Sequence, residues 1–148
     1  MICRFRYDDI KVDVLSTQSV GWAPTNPWFA PGFEKARTHL LDGVRIRILP
    51  LPYFLASKFV AFKDRGGNDP RISHDFEDIV YLLNYTSTVY EEIKGADDAV
   101  KNYLKTEFQA ILASDLLQEA VIAHLHYEDR MSRSGYILET LKKVCNEL

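Results

Sequence analysis

A chain of 148 residues that is 47% hydrophobic and 26% charged has the size of one globular domain and enough apolar residues for a buried core, which argues against disorder. Its net charge of −3 excludes a protein that holds nucleic acid through an overall positive field. Cys3 and Cys145 fit reduced thiols better than a disulfide framework, and no apolar run is long enough to span a membrane, so we expect a cytoplasmic protein without membrane contact.

The segment before Pro50 has strand-like patterns. CRFRY and IKVDVL alternate around Asp8-Asp9, which predicts a β-hairpin. The next stretch, GWAPTNPWFAPGF, is rich in proline and glycine and predicts a loop without regular structure. VRIRILP, residues 44–50, is a third segment with period 2. Three strands leave an open edge, which we expect a second copy of the chain or a partner chain to cover.

Past Pro50 the apolar residues recur with a helical period. We predict one helix over residues 53–64, entered through Pro52, and a second over residues 74–84, with the RGGND segment between them. The residues from 89 onward predict several further helices. The predicted buried positions are Phe54, Leu55, Phe59 and Phe62 in the first helix and Phe76, Ile79, Val80 and Leu83 in the second.

These patterns predict an α+β fold. A small mixed or antiparallel sheet of about three strands, with an open edge, precedes a helical region. We predict a core part over residues 1–85 and a C-terminal helical region, residues 86–148, packed on it.

An acidic cluster opens the second helix, within the stretch NDPRISHDFEDIVYLL. Asp75 and Asp78 lie three residues apart, and like charges at that spacing on a helix repel each other. Acids in a first turn are stabilised by the helix dipole, and Ser73 or Asp75 is a good N-cap. This explanation of the cluster does not require a functional site. The alternative is a phosphate and metal site, with Lys58, Lys63, Arg65 or a divalent cation opposite the acids.

Asp13 is a second carboxylate in an unusual place. It lies in the middle of the second strand, between two valines, although aspartate is a poor strand residue. It fits the solvated outer face of an antiparallel strand. It equally fits a rigid carboxylate that faces a cleft and holds a metal ion.

In order along the chain, these motifs resemble the nucleotidyltransferase-like family that includes the AbiEii type of toxins, within the DNA polymerase beta-like superfamily. The similarity covers roughly residues 3–85. CRFRYDDIKVDVLST resembles the hairpin whose second strand bears the third catalytic carboxylate of the family. The matching positions are Asp13 in that hairpin, Pro50 and Pro52 in a proline-containing connection, Lys58 in LASKFVAF, the turn Arg65-Gly66-Gly67, and Asp75 and Asp78 in DFEDI.

The resemblance implies transfer of a nucleotidyl group from a nucleoside triphosphate to an acceptor. An RNA or a protein is a possible acceptor, and a small molecule stays open. Acidic residues of such enzymes hold two divalent cations, Mg²⁺ or Mn²⁺, and Asp13 would be a metal ligand here. Lys58 would contact the triphosphate, with Arg65 helping to hold phosphate. Asp75 and Asp78 would orient the lysine or act as a base near the acceptor.

One part of the family pattern does not occur in this sequence. The family has a Gly-Ser turn followed by an acidic D-x-D or D-x-E pair upstream of the third carboxylate, and the residues before Asp13 contain neither. Asp8 and Asp9 occupy the predicted hairpin turn and do not replace that pair. We therefore expect an incomplete fold that is inactive alone and needs an N-terminal segment or a partner chain for catalysis.

Two other functions fit parts of the sequence. A metal-dependent HD-type phosphohydrolase would use His39, the His74-Asp75 pair and Asp115, which occur in the required order. A non-catalytic protein-interaction module would use the open strand edge or the aromatic loop. The candidate anchors in that loop are Trp22, Trp28, Phe29 and Phe33.

Overall fold

Two β-hairpins and seven α-helices make up the described part of the chain, which is residues 2–19, 25–65 and 69–148 of a computed structural model. The strands are β1 (Ile2–Tyr7), β2 (Ile10–Leu15), β3 (Arg37–Leu41) and β4 (Val44–Ile48). The helices are α1 (Phe29–Glu34), α2 (Leu51–Arg65), α3 (His74–Tyr85), α4 (Val89–Lys94), α5 (Asp98–Ala113), α6 (Asp115–Ala123) and α7 (Arg130–Glu147). A short 3₁₀ helix, Pro70–Ile72, precedes α3. Trp22 and the Gly66-Gly67 turn lie outside the described residues.

The first hairpin is confirmed as the sequence predicted it. Strands β1 and β2 pair antiparallel, with Phe5 opposite Val12 and Arg4 opposite Asp13. Asp8 in the turn has φ of 50°, in the left-handed region that aspartate tolerates better than most residues. The turn chemistry therefore fixes the register that places Asp13 on the strand.

The second hairpin differs from the prediction. Strand β4 is found where VRIRILP predicted it, but it pairs with β3, and the two hairpins form separate two-stranded sheets. Asp42 and Gly43 in the turn both have positive φ, 48° and 80°, as in a type I′ turn. This tight turn supplies β4 with a neighbouring strand from its own hairpin. The α+β class is confirmed, with four described strands in two sheets in place of about three in one.

The two predicted helices after Pro50 are confirmed, as α2 and α3. Ser73 is the N-cap of α3, and its hydroxyl accepts a hydrogen bond from the Phe76 amide. Two details were wrong. Phe54, predicted to be buried, is 39% exposed on α2. Helix α1, with Pro31 in its first turn, occupies part of the stretch predicted to lack regular structure.

The core lies among the helices. Helix α2 packs against α3 and α5, and α5 packs against α7. The largest side chains that are fully buried include Phe59, Phe76, Phe108, Leu55, Ile79, Leu83, Ile93, Leu104, Ile111, Ile137 and Leu141. No described side chain on the four strands is fully buried. The predicted division at residue 85 remains a prediction, although the core draws on helices from both sides of it.

Candidate functional site: a lysine between two carboxylates

Helices α2 and α3 bring together four charged side chains, Lys58, Arg65, Asp75 and Asp78, which we call the lysine–acid cluster. The Lys58 ammonium lies 2.5 Å from an Asp78 carboxylate oxygen and 3.8 Å from one of Asp75. The Lys58 side chain is about a fifth exposed, so the ammonium is held in place and still reaches solvent. This single cation offsets the repulsion that the spacing of Asp75 and Asp78 predicts.

Arg65 completes the cluster at its other end. Its Nε and Nη2 donate to the two carboxylate oxygens of Asp75 at 2.9 and 3.1 Å, in a two-pronged arrangement. The hydrogen bond from Arg65 holds the pKa of the Asp75 carboxyl below its usual value, against the opposing effect of burial, and Lys58 acts in the same direction. Asp75 is therefore ionised at neutral pH and is shared by two cations.

The sequence builds this arrangement from helical spacing. Lys58 and Arg65 are seven residues apart on α2, so they share a face, and the acids share a face of α3. The two helices are held together beside the cluster by Phe62 and Phe76, whose ring centroids lie 5.0 Å apart. Lys63, which the sequence offered as another partner for the acids, forms an ion pair with the buried Glu107 of α5.

The start of α3 has both a capping residue and cations opposite its acids. Ser73 provides the N-cap, so Asp75 does not have to, and the Asp75 side chain contacts Arg65 and Lys58 across the helix pair. Asp78 is half exposed, in contrast to Asp75. The more buried acid holds the cations in position, and the more exposed acid faces solvent beside the ammonium.

The structure places Asp13 in a different contact. Its carboxylate accepts hydrogen bonds from Nε and Nη2 of Arg4, at 2.7 and 2.9 Å, across the first hairpin. The hydrogen bond from Arg4 holds the pKa of the Asp13 carboxyl below its usual value. Four of the predicted site residues thus form one cluster, and the contacts recorded for Asp13 are with the hairpin arginine. Its role as a metal ligand remains a prediction.

A metal centre needs several ligand side chains in one place. Among residues 2–19, 25–65 and 69–148, no three side chains of His, Cys, Asp or Glu come together in a way that would hold a metal ion. The two acids of the cluster already neutralise Lys58 and Arg65. The described donors therefore do not fit a two-metal site, which needs several carboxylates. The HD-type alternative gains no support from these residues either.

Aromatic residues at the rim of the cluster were missed by the sequence reasoning. The Lys58 ammonium lies 5.6 Å from the centroid of the Phe54 ring, one turn earlier on α2. Tyr81 and Tyr85 are exposed on α3, in line with Asp78. For Tyr81 and Tyr85 the available signal was their position outside the predicted buried face of α3, since aromatic side chains that do not enter a core are free to contact a ligand.

Comparison with known proteins identifies a family. A family model described as "Nucleotidyl transferase AbiEii toxin, Type IV TA system" matches residues 4–141. No curated protein and no solved structure matches the chain. The match covers most of the first hairpin, the helices that carry the lysine–acid cluster, and most of the C-terminal helices that the motifs alone did not connect to the family. In the described residues, no helix is long and apolar enough to cross a membrane.

Proposed function

The chain belongs to the AbiEii nucleotidyl transferase toxin family, and we propose that its lysine–acid cluster is the triphosphate-binding part of a nucleotidyltransferase-like site. One observation carries this proposal: the Lys58 ammonium is fixed between Asp75 and Asp78 and still reaches solvent. A positioned ammonium with spare hydrogen-bond donors is a suitable contact for phosphate oxygens. Arg65 adds a second positive charge to the cluster.

We assign different roles to the two acids. Asp75 is the more buried and is bound by Arg65 and Lys58, which suits a residue that orients the lysine. Asp78 is half exposed and contacts the same ammonium, which suits a base that takes the proton of an acceptor hydroxyl. In the transfer, the acceptor oxygen forms a bond to the α-phosphorus, the bond from that phosphorus to the bridging oxygen breaks, and pyrophosphate leaves. The acceptor in this proposal is an RNA, a protein or a small molecule.

We infer that further carboxylates are needed for catalysis. Nucleotidyltransferases generally use divalent metal ions, Mg²⁺ or Mn²⁺, and the described residues offer too few carboxylates in one place to hold two of them. These acids would come from an additional N-terminal segment or from a partner chain. Asp13 would join them as a metal ligand once its contact with Arg4 opens.

Nucleotide binding tests the proposal without requiring activity. Calorimetry with ATP and the other nucleoside triphosphates should give a binding signal for the unaltered chain, and Lys58→Ala should weaken it at least tenfold. Lys142→Ala, which removes an exposed lysine of α7, is the matched control and should leave binding unchanged. A chain that binds no nucleotide, or a Lys58→Ala variant that binds as well as the unaltered chain, overturns the proposal.

A second candidate function, that of a protein-interaction module, is favoured by the first hairpin. The described side chains on one face of this hairpin are all hydrophobic and exposed, and they are Phe5, Tyr7, Ile10, Val12 and Val14. A two-stranded hairpin is marginally stable in water unless something packs against it. We propose that a second copy of the chain or a partner chain covers this face and the neighbouring strand edge.

The oligomeric state tests this second candidate. A dimer in sedimentation velocity that Phe5→Glu dissociates, and that Arg6→Glu on the opposite face leaves intact, would support a second copy as the cover. Reconstitution with a separately expressed chain bearing the acidic pair tests a partner. A chain that is monomeric at all concentrations and gains no partner in that reconstitution would remove the candidate.

A further inference from the structure

Helix α3 carries an exposed aromatic pair in its C-terminal half. Tyr81 and Tyr85 are 61% and 65% exposed, and their ring centroids lie 4.7 Å apart at an interplanar angle of 45°. The core face of α3 is formed by Phe76, Ile79, Val80 and Leu83, which the tyrosines do not join. Two large rings at the surface of one helix are available to a planar ligand.

The pair lies in line with the lysine–acid cluster. Asp78, Tyr81 and Tyr85 follow one another at i, i+3 and i+7, so they form one strip along α3. The helical rise places Tyr85 about 10 Å along the axis from Asp78. The strip thus begins at the carboxylate that contacts the Lys58 ammonium and runs away from Arg65, toward the C-terminal end of the helix.

The charged residues along α3 favour different ligand groups at its two ends. The cations Lys58 and Arg65 lie at its N-terminal half, where the helix dipole also favours an anion. The tyrosine pair has the acids Glu77 and Asp78 on its N-terminal side, so further phosphates are disfavoured there. At the other end, Arg133 of α7 is occupied by Asn84 and by the ring of Tyr136. The pair is suited to a neutral, flat group whose charged end extends toward Lys58.

We propose that Tyr81 and Tyr85 form the platform on which the base of the bound nucleotide stacks while its phosphates contact Lys58. This inference rests on the proposed function, since it assigns the base to the same site. Base stacking on aromatic side chains tolerates any base, because every base has a flat π-face. The platform therefore contributes affinity with little choice among the four nucleotides.

Two ligands separate the platform from the phosphate site. ATP has a base, and inorganic tripolyphosphate has only the phosphate chain. Calorimetry on the full chain should show that Tyr81→Ala/Tyr85→Ala weakens ATP binding at least fivefold and leaves tripolyphosphate binding unchanged. Tyr81→Phe/Tyr85→Phe, which keeps both rings, should bind ATP normally. Tyr127→Ala removes a comparably exposed tyrosine outside α3 and is the matched control.

The outcomes distinguish the two proposals. If Lys58→Ala weakens the binding of both ligands and Tyr81→Ala/Tyr85→Ala weakens the binding of neither, the proposed platform is wrong and the phosphate site stands. If the tyrosine variant loses both ligands equally while its far-UV circular dichroism is unchanged, stacking is also the wrong explanation. If Lys58→Ala binds both ligands normally, the proposed function fails first.

Discussion

The helical part and the two hairpins of this protein hold their apolar residues in opposite ways. Phe76 on α3 is fully buried against Phe62 and the ring of His124, whereas Phe5 on β1 is 59% exposed. Both residues belong to regular elements with the expected periodicity. The difference shows that periodicity gives an element an apolar face but does not say what covers that face.

Polar contacts divide in the same way. Within the helical part, buried Glu107 is paired with Lys63, and Arg133 of α7 donates to the side chain and the backbone carbonyl of Asn84 on α3. These contacts tie separate helices together. On the first hairpin, Arg4 and Asp13 pair across neighbouring strands, with side chains that are 62% and 38% exposed. We conclude that the helices carry the stability of the fold. The second hairpin is tied to them by the ion pair of Arg37 with Glu92 of α4, whereas the described polar contacts of the first hairpin do not reach the helices.

The largest effect is expected from Phe76→Ala. The substitution leaves a cavity between α2 and α3 and should lower the free energy of unfolding by about 3 to 5 kcal/mol. Urea denaturation followed by circular dichroism measures the change. A loss below about 1 kcal/mol would mean that the helical core is less tightly packed than its burial indicates.

The contact between α1 and α2 gives the next prediction, at the boundary of the two regions. A Cβ atom at Gly32 would lie 2.9 Å from Cβ of Tyr53 and 3.1 Å from Cδ2 of Leu49, so Gly32→Ala forces α1 away from α2. We expect a loss of about 1 to 3 kcal/mol in the free energy of unfolding. Gly135→Ala, in the open on α7, is the control and should stabilise by about 0.5 to 1 kcal/mol. If the two substitutions change the free energy of unfolding equally, α1 is not packed tightly against α2.

The pair of Asp75 and Arg65 predicts a pH dependence that belongs to the helical part. Because the pKa of Asp75 is lower in the folded chain than its ordinary value of 3.8, its contribution is complete above that value and is lost as the pH falls through the folded pKa. Asp75→Asn should lower the free energy of unfolding by about 1 to 2 kcal/mol at pH 7, and by less below pH 3. This range is kept small because Arg65, the partner of Asp75, is exposed to solvent. Urea denaturation of the unaltered chain and of Asp75→Asn, at several pH values between 7 and 2.5, measures the loss at each pH. A constant difference across this range would contradict the assignment.

The sequence predicted the helical part of the cluster better than the strands. Helix α3, its Ser73 cap and its buried face follow from local rules, and the spacing of Lys58, Arg65, Asp75 and Asp78 places each pair on one helix face. That the two faces meet was expected from the resemblance to a family. Helical period and capping act within a few residues, which is why they can be read from a single sequence.

The strand part depended on information of longer range. The pairing of β3 with β4 was missed because RTHLL has no regular alternation, although Asp42-Gly43 is a strong turn signal. Phe54 fits the apolar pattern of α2 and yet remains exposed beside Lys58. Strand pairing and the burial of Phe54 both depend on which parts of the chain pack together in the folded protein, and a single sequence does not show that.

The smallest effect on folding is expected from Phe5→Ala on the first hairpin, the counterpart of Phe76→Ala. Because the ring is largely exposed, its loss should change the free energy of unfolding by less than about 0.5 kcal/mol in dilute protein. If a second copy covers the hairpin, the cost should grow as the protein concentration rises, since association stabilises the folded state by mass action. Melting temperatures over a hundredfold range of concentration separate the two cases. A large cost in the monomer at low concentration would mean that the hairpin is part of the folding unit and that the contrast between the two regions does not hold.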